Sequence, residues 1–257
     1  MVRLALEHFQ ENACPLRRQG WNPVCRPKMR QRRNARAVLV FALCETALVL
    51  RNAAGGVLLA GLLGFGARAE DRFSALRLDQ LTSEQQTMAK MLTTPPRNNQ
   101  INTGPFNAYA RSPALGILLL QVSDFVRFNS SLPPRLSEFA IMIAARQWSQ
   151  LYEWRAHYPL AIKGGLDRQV LVELGAGNRP QGMKDDEAAL YDYCTEMYRD
   201  RNVSDATFKA AVSHFGERGI MDVIGIIGYY DLVSMALITQ KATGNPGDEP
   251  PLLPLTR

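Results

Sequence analysis

The sequence predicts an all-α protein, a single domain of about six to eight helices over residues 70–257. Nearly every segment after residue 80 repeats its apolar residues at helical spacing rather than in strand alternation. The breaks between those segments fall at clusters of Pro, Gly and Asn. An apolar content of 46% in 257 residues supplies enough material for a core, and no internal repeat or second domain is evident.

Each element follows from local signals. Ser83-Glu84 opens a short helix that ends near Leu92, before Thr93-Thr94-Pro95-Pro96. Residues 95–107 read as an extended polar loop. Ser112 caps and Pro113 starts a helix over 113–128, with Leu115, Leu118, Leu119, Val122 and Val126 expected inward. Pro134 opens a helix to about Arg146. Ser149 is expected to cap the next one, 150–163, which bends at Pro159 and stops at Gly164-Gly165. A short helix spans about 167–174, followed by helices over 184–200, 204–215 and 218–241. The last is apolar almost throughout, which suits a bundle centre or a subunit interface, and Asp222 and Asp231 argue against a membrane span. Four prolines make 244–257 an extended tail, expected to clasp a neighbour.

Charge is distributed unevenly. Residues 1–69 carry eleven Lys/Arg against three Asp/Glu, so the net +6 of the whole chain leaves about −2 on residues 70–257. A nucleic-acid partner is therefore not expected. The basic part runs into apolar stretches at 38–50 and 53–65, closed by Ala67-Arg68-Ala69, the pattern of a secretory leader. A periplasmic or secreted protein is the expectation. The competing reading is an uncleaved anchor over 38–65, the one membrane contact considered, with Glu45 and Arg51 costly near a bilayer centre. Cys14, Cys25 and Cys44 fall in this leader. Cys194 alone is left, on the apolar side of a helix, so no internal disulfide can form and a buried thiol is expected.

Glu153 and His157 stand one turn apart on one helix face. A break at 147–149 would fold the preceding helix back and bring Glu138 beside His157. A carboxylate against an imidazole fixes the tautomer and makes a general acid/base pair. Spacing alone also suits a solvated Glu/His pair. There is no second histidine nearby, so no metal site is expected. A carboxylated substrate would need a cation, and Arg111, Arg127, Arg135, Arg146 and Arg155 surround these helices in sequence. Arg155 and Arg111 are the candidates for that role, and Tyr152 is a candidate pocket wall.

Glu138, Gln150, Glu153 and His157 are spaced E-x11-Q-x2-E-x3-H. The frame resembles the E-x11-C-x2-C-x3-H of the carboxymuconolactone decarboxylase and alkyl-hydroperoxidase D-like family, with Gln150 and Glu153 where that family usually has cysteines. Gly104-Pro105-Phe106, Arg111-Ser112-Pro113, the run Leu132 to Glu138 and Gly228-Tyr229-Tyr230 support the resemblance, which covers roughly 81–243. It implies small helical domains assembled into trimers or hexamers. In the hydroperoxidase-like members Glu and His activate the dithiol, a relay that Gln150 and Glu153 cannot run. In the decarboxylase members a carboxylated muconolactone loses carbon dioxide without a cofactor. That resemblance implies His157 delivering a proton, Glu138 orienting it, Glu153 shaping the charge, and Gln150 donating an amide hydrogen bond to the developing enolate. The expected partner is thus a small acid or lactone. Two other readings stand beside this lyase: a peroxiredoxin-like protein acting through Cys194, and a non-catalytic binding or scaffold protein.

Overall fold

The computed structural model describes residues 72–255; the predicted leader over 1–69 lies outside the described residues. Among those described, eight α-helices and no strand are found: α1 (Ser83–Thr93), α2 (Phe106–Tyr109), α3 (Pro113–Phe128), α4 (Pro134–Trp148), α5 (Leu151–Lys163), α6 (Arg168–Ala176), α7 (Asp185–Asp200) and α8 (Asp205–Gln240). Thr82 and Gln85 cap α1 reciprocally, side chain to backbone. Asp167 caps α6, and Ser204 caps α8. The expected polar loop at 95–107 is instead a set of turns that ends in α2, with Arg97, Ile101, Phe106 and Asn107 buried.

The centre of the bundle is α4, packed by α5, α6, α7 and α8. Every residue from Phe139 to Arg146 is buried, which the run Phe139-Ala-Ile-Met-Ile-Ala-Ala allows because small and large side chains alternate around the helix. The longest helix, α8, has the length and apolarity to cross a membrane, yet most of that stretch is buried against the domain. Its two carboxylates are tied to neighbours. Asp222 accepts from the Ser131 amide and hydroxyl at 2.7 and 2.6 Å, and Asp231 from Trp148 Nε1 and Tyr198 Oη at 2.7 and 2.8 Å.

The expected inward face of α3 is corrected. Leu115, Leu118 and Val122 face outward, while Gly116, Leu120, Ser123 and Val126 are buried. The reason is close approach: a Cβ on Gly116 would lie 2.9 Å from Met88 Sδ and 3.0 Å from the Tyr109 carbonyl, so the smallest residue marks the packed side of α3. The tail also bonds to its own chain. Leu253 donates its amide to Gly175 O at 3.0 Å, and Trp154 Nε1 donates to Pro250 O at 2.7 Å.

Candidate active site

A tight reversal between α4 and α5 builds the site. Ser149 ends α4 in the left-handed region at φ 49°. Gln150, rather than Ser149, caps α5 by accepting from the Tyr152 amide at 2.7 Å, and its own amide donates to Ala145 O at 2.8 Å. The reversal lays α5 back along α4, so that residues nineteen positions apart meet.

His157 Nδ1 lies 2.6 Å from Glu138 Oε2, and Nε2 lies 3.4 Å from Glu153 Oε2. An ionised carboxylate only accepts, so the short contact assigns a proton to Nδ1 and turns Nε2 toward Glu153. Glu153 and His157 are 3% and 6% exposed. Burial pushes the Glu153 carboxyl above its ordinary range, partly offset by the nearby charges of His157 and Arg127. Tyr230 stands edge-on to the imidazole with ring centres 5.0 Å apart, and Tyr229 stands edge-on to Tyr230 at 5.4 Å. Burial holds the Tyr230 phenol well above its ordinary value, so it acts as a neutral donor or acceptor.

A cavity of about 110 Å³ opens on Glu153 and His157, with Ser123, Arg127, Tyr229 and Tyr230 among its other walls. Tyr152 also lines it. The structure therefore brings Glu138, Glu153, His157 and Tyr152 to one place. Gln150 is spent on the cap and does not line the cavity. Arg155 and Arg111 do not line it either. Arg155 pairs with Glu249 Oε1 at 3.0 Å and donates to the Thr243 carbonyl at 2.8 Å, pinning the tail. Arg111 donates to Ser74 O and to Asn107 Oδ1, the latter at 2.8 Å, holding the segment ahead of α1.

Ser123 is a cavity residue that the sequence did not single out, and Arg127 was named there only among five candidate cations. Their signal was present: they stand one turn apart on the same side of α3 as Gly116 and Leu120, polar residues on an otherwise packed face. Among the described residues no group of three His, Cys, Asp or Glu side chains is arranged to hold a metal ion. Cys194 is buried, and burial, with the Asp231 charge, pushes its thiol up to about 12.

No family model matches the sequence, and no curated protein does. Solved structures do. One is an uncharacterized peroxidase-related protein from Ralstonia eutropha JMP134, described as an alkylhydroperoxidase AhpD core. It is 16% identical with a TM-score of 0.57, over 71% of this chain and 95% of that one. Another is an uncharacterized peroxidase-related protein from Silicibacter sp. TM1040, 18% identical with a TM-score of 0.56, over 68% and 94%. The chain has the AhpD-like helical fold. At these identities the AhpD-like likeness carries the fold and not the chemistry, which rests on the residues around His157.

Proposed function

We propose that the protein is a cofactor-free lyase or proton-transfer enzyme acting on a small carboxylated lactone or related acid. The observation that supports this most is an imidazole held between two carboxylates on the wall of a small cavity, one at 2.6 Å and one at 3.4 Å. Glu138 orients His157 and balances its charge. Glu153, disposed by burial toward its acid form, and His157 form a proton relay that faces the ligand.

In a decarboxylation the bond between the α-carbon and the carboxylate breaks, carbon dioxide leaves, and the electron pair stays on the substrate as an enolate. The relay then supplies one proton to that carbon and regains it from solvent. The Tyr229 and Tyr230 phenols line the same cavity, which supports a role for Tyr230 as a donor to the enolate oxygen. Peroxide reduction through a thiolate finds no support, since Cys194 is buried with its thiol pushed up to about 12.

The test follows carbon dioxide release from carboxymuconolactone and a panel of carboxylated lactones, with His157→Ala beside the parent. Replacing His157 is expected to lower turnover about 10²- to 10⁴-fold while the helical circular dichroism is kept. Turnover unchanged in the variant would remove the proposal. Ligand binding with no turnover by either protein would favour a binding role.

A further inference from the structure

An acid bound beside Glu153 and His157 brings a negative charge into a partly buried pocket walled by Glu153, so the pocket needs a cation whose hydrogen bonds are not already spent. The arginines around the site differ sharply in this respect. Arg135 pairs with Asp186 at 2.6 Å and with Glu187. Arg111 and Arg155 hold backbone and side chains of the two terminal segments. Arg146 also has buried nitrogens without a partner, but it lies beside Gly177 at the end of α6 and is not a cavity residue. Arg97 does line the cavity, but its Nη2 donates to Leu120 O at 2.7 Å and its Nε lies 2.8 Å from Asp124 Oδ1.

Arg127 is different. It lines the same cavity as Glu153 and His157, and its buried Nε has no hydrogen-bond partner. Its guanidinium rests over the Phe128 ring at 5.2 Å, a contact that holds the group without using its donors. Its charge acts on Glu153 and Tyr230 across the cavity. Ser123 is one turn earlier on α3 and lines the same wall. A buried donor left unmatched is destabilising, and a carboxylate seated against it would remove that cost.

We propose that Arg127 is the anchor for the substrate's carboxylate, gripping it through two parallel N–H donors with the Ser123 hydroxyl beside it, and that the pocket selects small carboxylates over uncharged analogues. This rests on the functional reading above for the identity of the site but not for its turnover. Size follows from the cavity. At about 110 Å³ it is smaller than the roughly 150 Å³ that houses benzene in an apolar cavity, so a carboxylate and a frame of a few carbons fill it. The reacting carbon then lies between Arg127 and the Glu153–His157 pair, and uncharged analogues of equal shape leave the guanidinium unmatched.

The probes are butyrate and butyramide, alike in shape and different in charge, titrated into the full chain and followed by protein-detected NMR. The parent is expected to bind butyrate about tenfold to a hundredfold more tightly than the amide, as a charge-assisted bond of about 1.5–3 kcal/mol implies. Arg127→Gln is expected to bring that ratio close to one. Arg127→Lys, a point charge without the fork, should keep part of it. A folded Arg127→Gln protein that still prefers butyrate overturns the proposal, as does a parent with no preference. If Arg127→Gln fails to fold, Arg127→Lys decides, since an undiminished preference there overturns the gripping fork. A parent that prefers butyrate yet turns over no acid leaves this anchor standing and removes the enzymatic reading. Loss of turnover in His157→Ala alone, with the butyrate preference untouched by Arg127→Gln, does the reverse.

Discussion

At the scale of single residues, Glu153 is the carboxylate that the fold buries against its own charge. It is buried, it faces an imidazole already committed to Glu138, and its carboxyl is raised above its ordinary range chiefly by that burial. The unfolded chain releases this proton near pH 4.3, about the usual glutamate value. Between that pH and the folded value, the folded state holds more protons, so stability declines as pH rises through this window. Glu153→Gln keeps the shape and cannot ionise. Urea midpoints measured against pH are expected to coincide for parent and variant at the acid end and to separate toward neutrality, the variant being the more stable. Parallel curves would show that Glu153 is not buried as an acid. The positions of Glu138, Glu153 and His157 were legible because helical spacing and one chain reversal fix them. The choice among arginines was not, since Arg111 and Arg155 are occupied by segments far away in sequence, which no local pattern reveals.

At the scale of elements, α8 shows what a single glycine controls. Gly216 has φ 66° and ψ 173°, outside the helical region, and divides α8 into 205–215 and 217–240. The sequence placed its helix boundary there, because Gly216 interrupts the pattern between Phe215 and Arg218. A Cβ at this position meets nothing within 4 Å, so any penalty for adding one is a backbone penalty alone. Gly216→Ala is expected to cost about 1–3 kcal/mol in denaturant titration. A neutral result would mean that the two segments can rejoin as one helix. The face of α3 was less legible, since Leu115, Leu118 and Val122 outweigh Gly116, Leu120 and Ser123 in hydropathy. Packing chose the side where a backbone could approach, a preference that apolar periodicity does not encode.

At the scale of the whole molecule, the all-helical architecture was readable because its punctuation is strong and its helices are amphipathic or buried. The most apolar helix was expected at a bundle centre or in a subunit interface, and the centre is held by α4. α8 keeps Met221, Ile224, Met235 and Ile238 at the surface, and α3 adds Leu115, Leu118, Val122 and Phe125. Leu118 and Met221 are 59% and 63% exposed, a Cβ on Gly228 would meet no atom within 4 Å, and α3 and α8 pack together, so both helices carry unburied apolar side chains. We propose that this surface joins copies of the chain. Leu118→Glu with Met221→Glu is expected to shift the mass measured by sedimentation velocity from an oligomer to a monomer without loss of helicity. A parent that sediments as a monomer would refute it.

The burial of Cys194 has a use beyond its silence toward peroxide. It lies at the α7–α8 contact with no exposed surface, and it is the single cysteine within residues 72–255. A thiol reagent can reach it only when those helices part. With Cys14, Cys25 and Cys44 replaced by Ser, its labelling rate is therefore a built-in clock for the opening of the core, readable without adding a probe to the bundle.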